Sequence, residues 1–363
     1  MKAAVITLQN IKNYGSMLQA FATQELLKRE GIESVMIDYT RPDALFWNHI
    51  FGYSKHNNLL VGIVKSLILL PTEIRYKFLW DSFKKKHLQS THEKYTTLEE
   101  LSANPPVADI YCSGSDQVWN SGWNGGLLKE FFLEFAPKDK KRYALASSIG
   151  MSKFDESEMP ELSRLLNEYE AISVRETSGL ELVKSLGASN AINVIDPTLT
   201  VDSTFWKQLA TAPKRKNPYI LIYQLGKDPN IDKYARHMAE KTGLEVVRIC
   251  IRYDYALRYG KSALIPSFEE FLTLFANADY VITDSFHATC FSLNFNKKFW
   301  CILPDMYQGR ILDLLKMMSL EERVVGSDFN NVDIHASIGY DRVNEILNKE
   351  RSKVNTFYHS IAE

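Results

Sequence analysis

The first forty residues alternate between apolar runs and a helical pattern, and this alternation restricts the fold more than any other feature. AAVITL (residues 3–8) is an apolar run with strand propensity, and the polar QNIKNYG (9–15) follows it. Residues 16–31 show helical spacing of apolar side chains and end at Gly31, where a C-cap glycine belongs. SVMIDY (34–39) has the composition of a second strand. Strands joined through a helix run parallel, so the pattern predicts a parallel α/β sheet.

The same alternation recurs on both sides of a linker-like segment. TFWKQLATAPKRKNP (204–218) combines prolines with clustered charges, and a second α/β set begins at Tyr219. A chain of 363 residues is also too long for one ordinary core. We therefore predict two Rossmann-like domains and a helical tail that packs across both. The predicted bounds are 1–205 for the N-terminal domain, with a helical insertion at about 45–100, then 206–335 for the C-terminal domain and 336–363 for the tail.

Composition excludes several classes of function. Apolar and charged fractions of 45% and 24% are those of a soluble globular protein. A formal net charge of −1 gives no basic footprint for DNA or RNA, so we expect no nucleic-acid partner. The cysteines form no CxxC pair and are interpreted as buried apolar residues in a reducing compartment. The N-terminal apolar run is too short for a secretory signal, and a cytoplasmic location is expected.

Residues 59–87 allow two interpretations of location. This segment begins with a short apolar stretch and continues with aromatic residues interleaved with lysine and arginine. It fits a helix packed on its own domain with a solvated basic face. A basic, aromatic helix can also lie on an anionic membrane surface, which would place the protein at the inner face of the membrane.

Four polar loops are candidates for a ligand site. Ligands of open parallel sheets bind beyond the carboxyl ends of the strands, where loops run into helix N-termini. The loops in that position are 9–15, 113–120, 175–177 and 284–288. The first strand is not followed by GxGxxG, and GxxxxGK[ST] does not occur. Dinucleotide and P-loop sites therefore lack the glycines that they need.

Parts of these loops belong to a set of six motifs that resembles one known family. The motifs are NYGSMLQAFATQELLKREGIESVMIDY, GSDQVWN, ISVRE, DPTL, ADYVITDSFHATCFSLNFNKKF and GRILDLL. In this order they resemble the polysaccharide pyruvyltransferase family, over roughly residues 4–325. The resemblance implies a GT-B-like α/β fold, with two Rossmann-like domains facing across a cleft.

The resemblance also implies a reaction. Such an enzyme moves the pyruvyl group of phosphoenolpyruvate onto a sugar diol of a polysaccharide or its precursor as a ketal, and it releases phosphate. The donor is a substrate, so no cofactor is expected, and no residue cluster has metal-ligand spacing. The acceptor can be lipid-linked, nucleotide-linked or polymeric, and the sequence does not select among these.

The chemistry requires a general acid, and the resemblance assigns it. Protonation of the donor's methylene carbon needs an acid that is charged near neutral pH, for which histidine is best suited. His287 is the one histidine in the four loops. The resemblance implies that His287 is the acid and that Arg175 helps to hold the donor. Many members have an arginine where this chain has Ser285, and Arg310 is our candidate for the missing cation.

The remaining expected contacts come from the first domain. The candidate donor residues are Arg175, Arg310, Ser285, Asn13, Tyr14 and Gly15. The candidate acceptor residues are Ser115, Asp116, Gln117 and Trp119. A phosphate or carboxylate is held by cations and helix N-termini, and sugars are held by polar side chains and aromatic faces.

Each assignment has a structural alternative. His287 can be a capping residue, Arg175 can form a surface ion pair with Glu176, and Arg310 can cover a helix end. Asp116 can shape a turn, and a tryptophan such as Trp119 can belong to the core. Two other functions also remain open. One is a nucleotide-sugar glycosyltransferase of GT-B fold, and the other is a sugar- or phosphate-binding relative without catalysis, which Ser285 favours.

Overall fold

The computed structural model describes residues 1–48, 59–329 and 332–363, which form two compact units. The first unit contains Met1–Asn48, Asp81–Thr200 and Asn348–Glu363. The second contains Val201–Leu347 and the preceding helical segment up to Trp80. The predicted domain bounds stay predictions, and residues 49–58 of the insertion and 330–331 of the second domain lie outside the described residues.

The first unit is built on a parallel sheet of seven strands. These are β1 (Lys2–Ile6), β2 (Glu33–Tyr39), β3 (Ser90–Tyr95), β4 (Ile110–Ser113), β5 (Lys141–Ser147), β6 (Ala171–Val174) and β7 (Ile192–Asn193). The strand order is β3-β2-β1-β4-β5-β6-β7. The helices are α1 (Tyr14–Arg29), α2 (Leu59–His87), α3 (Leu98–Ala103), α4 (Ser121–Asn124), α5 (Met159–Leu166), α6 (Thr177–Ser185) and α7 (Pro197–Thr200). The part of α2 up to Trp80 belongs to the second unit.

The second unit repeats this arrangement with five parallel strands. These are β8 (Tyr219–Tyr223), β9 (Glu245–Cys250), β10 (Lys261–Leu264), β11 (Tyr280–Thr283) and β12 (Lys298–Cys301), in the order β10-β9-β8-β11-β12. The helices are α8 (Ser203–Leu209), α9 (Asn230–Thr242), α10 (Phe268–Asn277), α11 (Phe286–Asn294), α12 (Gly309–Met318) and α13 (Tyr340–Ala362). The part of α13 from Asn348 onward belongs to the first unit. Short 3₁₀ turns occur at Pro42–Ala44, Lys129–Phe132, Tyr253–Leu257 and Glu321–Arg323.

The local sequence explains why three of these strands and helices form where they do. All five residues of β8, YILIY, are buried, as expected for a central strand covered on both faces. Asn13 caps α1 by accepting a hydrogen bond from the N–H of Gly15. At the start of α10, Ser267 and Glu270 form the capping box that their spacing predicts.

Strand order places one crevice at each sheet. In both units the chain reverses its direction of winding beside the first strand, between β1 and β4 and between β8 and β11. Loops that leave the two strands of such a pair diverge and open a ligand crevice beyond their carboxyl ends. The predicted α/β class with two parallel sheets is confirmed. Within the described ranges, no helix combines the length and the apolar character needed to cross a membrane.

Candidate functional site

The turn that contains His287 lies at the crevice of the second sheet. β11 ends at Thr283, Ser285 is the N-cap of α11, and its Oγ accepts from the N–H of Ala288 at 3.4 Å. All nine residues of α11 are buried. Phe291 anchors the helix against the rings of Trp206 and Phe271, with centroids 5.3 and 5.8 Å apart. The backbone of His287, in the first turn, is therefore fixed by packing.

Asp284 joins the two strands that border this crevice. Its carboxylate accepts hydrogen bonds from the N–H groups of Leu225 and Gly226, at 2.8 and 2.7 Å, in the loop after β8. Burial raises the pKa of the Asp284 carboxyl above its ordinary value, while those two hydrogen bonds act in the opposite direction. A Cβ at position 226 would lie 2.9 Å from the carboxylate, so glycine permits this close approach.

Arg310 lies beside the same turn, as its role as a candidate cation requires. Its Cζ is 5.6 Å from the ring centroid of Phe286, the residue before His287. His287 is only 3% exposed, however. A general acid has to reach the donor, so this burial differs from what its predicted role requires. A donor can reach the ring only if neighbouring groups move.

The guanidinium of Arg175 is buried among three carboxylates. Its Nη2 lies 3.3 Å from Asp116, its Nε lies 3.4 Å from Glu176, and its Nη1 bonds Asp196. The carboxylates raise the pKa of Arg175 above its ordinary value, although desolvation, the largest effect, acts in the opposite direction. This geometry corrects two expectations. The pair with Glu176 is buried rather than on the surface, and a fork already held by carboxylates is not offered to a donor anion.

The loop after β4 belongs to the same buried network. The Oγ of Ser115 donates to Asp196 at 3.2 Å, and Asp116 accepts from the hydroxyl of Ser16. Asp116 also adopts a left-handed backbone with φ of 72°, which its bonds to the surrounding loops hold in place. Ser115 and Asp116 are therefore scaffold residues and not surface groups for a sugar. Gln117 is partly exposed and accepts from Asn120 at 2.6 Å.

Four other predicted contact residues have structural roles in this unit. Tyr14 is fully buried in α1, and the N–H of Gly15 is capped by Asn13. Trp119 is 1% exposed, stacks on Phe132 at 5.1 Å between centroids and donates through its indole N–H to a backbone carbonyl. A buried ring offers no face to a sugar, so the expectation for Trp119 is corrected, and its core alternative applies.

A cavity of about 610 Å³ lies beyond the carboxyl ends of β2 and β3 in the first unit. Arg41 lies over the ring of Trp123, with 4.5 Å between its Cζ and the ring centroid, and it donates to Asn124 at 2.7 Å. The hydroxyl of Tyr39 bonds the carboxylate of Glu130 in the same wall. Sequence reasoning missed Arg41, although its place two residues after a strand end was a usable signal.

The cysteines take no part in either site. All four are buried free thiols, as predicted. Burial raises the pKa of the Cys301 thiol to about 12, so it stays protonated at neutral pH. In the part of the chain that the structure describes, no three His, Cys, Asp or Glu side chains are grouped as metal ligands.

Comparison with protein families assigns the chain. The model of the family described as polysaccharide pyruvyl transferase matches residues 13–306, which include the turn of His287 and the network of Arg175. The chain belongs to the polysaccharide pyruvyl transferase family. The resemblance inferred from the six motifs is thereby confirmed. No curated protein sequence gives a significant match.

Solved structures show the same fold at low sequence identity. The Staphylococcus aureus MnaA-UDP structure aligns with a TM-score of 0.52 and 9% identity, over 100% of this chain and 90% of that chain. A protein described as a UDP-N-acetylglucosamine 2-epimerase from Listeria monocytogenes aligns with a TM-score of 0.50 and 12% identity, over 98% and 90%. These similarities identify this family member as a GT-B-like protein, as predicted.

Proposed function

We propose that the protein transfers the pyruvyl group of phosphoenolpyruvate to a sugar diol and forms a cyclic ketal. The observation that supports this most directly is the position of His287. It stands in the first turn of a buried helix, at the crevice of the second sheet, inside the segment that matches the pyruvyl transferase family. A rigid acid at a ligand crevice is what protonation of an enol phosphate requires.

His287 acts as the general acid in this proposal. Its proton goes to the methylene carbon of the donor, which becomes the methyl group and leaves positive character on the carbon that bears phosphate. One sugar hydroxyl adds to that carbon and loses its proton, the C–O bond to phosphate breaks, and the second hydroxyl closes the ketal and loses its proton. Of the two protons that the diol gives up, one restores the acid and the other leaves with phosphate.

The donor's anionic groups bind at the turn of His287 in our proposal. Arg310 supplies a cation beside that turn, and the N-terminus of α11, capped by Ser285, adds its partial positive charge. The anionic donor in turn favours the charged form of His287. We assign Arg175 to positioning, because it fixes the loop after β4 and not the donor.

The sugar acceptor binds in the cavity beyond β2 and β3 in our proposal. Its lining includes Trp123, Arg41, Asn124 and the carboxylates of Asp43 and Glu99. The polar groups suit hydrogen bonds with sugar hydroxyls, and the aromatic ring suits stacking on a sugar face. This assignment replaces Trp119 with Trp123 as the stacking residue.

The test is a reaction with phosphoenolpyruvate and a panel of 4-nitrophenyl glycosides that have free 3,4- or 4,6-diols. Sugar-dependent phosphate release, with an acid-labile ketal detected by mass spectrometry, is the expected result. A parallel series replaces the donor with UDP-sugars. Turnover of UDP-sugars with phosphoenolpyruvate inert would make the protein a glycosyltransferase or epimerase and overturn the proposal. Tight binding of phosphoenolpyruvate without turnover of any glycoside or of the cells' own lipid-linked glycans would make it a binding protein.

A further inference from the structure

The helix α2 exposes an unusual number of large apolar side chains. Seven of them share one side of the helix by their spacing, and we call this set the apolar stripe. Its members are Ile63, Val64, Leu67, Ile68, Pro71, Ile74 and Phe78. Leu67 and Phe78 are 63% and 65% exposed. The spacing of the set follows the helical period, so the stripe is continuous along about four turns.

The opposite face of α2 is already occupied by its own unit. Trp80 packs on Phe268 with 4.6 Å between ring centroids, and the hydroxyl of Thr72 accepts from the N–H of Tyr253 at 3.1 Å. A surface helix of a globular protein normally turns polar residues to water on its outer side. Since the inner face supplies the packing, the apolar stripe contributes nothing to this unit's core. Contiguous apolar surface of this kind marks an interaction site.

Charge indicates the partner. Residues 59–87 contain six basic and two acidic side chains, in a chain whose formal net charge is −1. Lys65 and Lys77 are exposed on the same part of the helix as the apolar stripe. Apolar side chains with neighbouring lysines suit the interface of an anionic bilayer, where the lysine stems lie along the surface and their ammonium groups reach the headgroups.

A second copy of this chain fits the stripe less well, because pairing two stripes would bring the neighbouring lysines of both copies together, whereas anionic headgroups neutralise them. The stripe is about 24 Å long at 1.5 Å per residue. This length is below the roughly 30 Å needed to cross a bilayer. We therefore propose that α2 docks the protein onto an anionic membrane surface through the apolar stripe, with the helix lying in the plane of the interface.

The experiment is sedimentation of the full-length protein with vesicles of phosphatidylcholine alone or with 30% phosphatidylglycerol. The stripe variant combines Leu67→Glu and Phe78→Glu. Its control combines Leu257→Glu with Val107→Glu, two apolar residues that are still more exposed but lie outside the helix. A charge variant combines Lys65→Gln and Lys77→Gln. Unfolding midpoints equal to wild type show that all variants are folded, as their exposed positions predict.

Wild type and the control are expected to bind the anionic vesicles about ten-fold or more tightly than the neutral ones. The stripe variant should lose about ten-fold or more of that binding, and the charge variant about 25-fold, at roughly five-fold for each of its two lysines. Three results would overturn the proposal. These are equal binding to both kinds of vesicle, a stripe variant that binds like wild type, and a wild-type dimer that the stripe variant converts to a monomer in light scattering. The assay contains no donor or sugar, so its outcome is independent of the proposed reaction.

Discussion

Replacement of Arg175 by alanine tests whether this residue is structural. The change leaves Asp116, Glu176 and Asp196 buried without the cation that lies among them. Breaking one buried ion pair costs about 3–5 kcal/mol, because the remaining charge is desolvated and uncompensated. Three stranded carboxylates place the expected loss at or above the upper end of that range. Arg175→Lys should recover only part of it, since a point charge cannot reach three partners as a planar fork does.

Arg164 supplies a matched control in the same unit. It also contacts three carboxylates, those of Glu134, Glu161 and Glu168 at 2.7, 2.8 and 3.0 Å, but its side chain is 43% exposed. Exposed ion pairs contribute about 0.2–1 kcal/mol, so Arg164→Ala should change the free energy of unfolding by no more than about 1 kcal/mol. The two replaced arginines thus differ mainly in how deeply their side chains are buried.

Urea unfolding followed by circular dichroism measures both. The expected loss for Arg175→Ala, about 5 kcal/mol or more, corresponds to roughly 10–20 °C or more in the melting temperature of a thermal unfolding curve, at about 2–4 °C per kcal/mol for a domain of this size. Arg164 and then Lys129 lower the pKa of Glu161 to about 2, so the stability from that cluster is present above the ordinary carboxyl pKa. This stability is lost only as the pH falls toward 2. The effect of Arg164→Ala on the free energy of unfolding should therefore be the same at pH 5 and pH 8. Equal losses for the two variants would refute the assignment of Arg175 to the scaffold.

Three further changes probe the two sites. Gly226→Ala should lower the free energy of unfolding by about 1–3 kcal/mol, because the new Cβ displaces the carboxylate of Asp284 from two backbone N–H groups. Gly309→Ala is the control, since its Cβ meets no atom within 4 Å, and it should be near neutral. Urea unfolding measures both. Arg310→Ala should raise KM for phosphoenolpyruvate about ten-fold or more in steady-state kinetics, while Lys316→Ala on the same helix should leave it unchanged. If the two variants have the same KM for phosphoenolpyruvate, Arg310 does not belong to the donor site. Trp123→Ala should raise KM for the sugar about five-fold or more and leave KM for the donor unchanged, and an unchanged sugar KM would place the acceptor elsewhere.

The fold could be predicted because its signals are local. Apolar runs such as residues 3–8 alternate with helical spacing, and a glycine or proline ends several segments, as at Gly31, Gly187 and Pro197. Parallel strands then follow from the crossover helices, and the carboxyl-edge rule selects the loops. For this reason the turn at Asp284 to His287 was found at the crevice from sequence alone. Arg310 was likewise placed near that turn, where the structure has it.

The role of Arg175 could not be predicted, because its partners come from distant parts of the chain. Asp116 follows β4 and Asp196 follows β7, and only the sheet order brings them around one guanidinium. The neighbouring Glu176 suggested a surface pair, since burial is not encoded in two adjacent residues. The two tryptophans of the loop after β4 illustrate the same limit. Stacking on Phe132 buries Trp119, while Trp123 four residues later lines a cavity.

The most direct test of the central proposal replaces His287 by glutamine and follows phosphoenolpyruvate turnover in D₂O. Wild type should release phosphate only with a sugar diol present and place one solvent deuterium in the methyl group of the ketal. His287→Gln should keep its fold and most of its donor affinity but lose on the order of 10² or more in turnover, the usual scale for a general acid. His335→Gln, at an exposed position in the same unit, should match wild type. A His287→Gln protein that forms the deuterated ketal within a few-fold of the wild-type rate would contradict the mechanism and leave His287 a buried structural residue of α11.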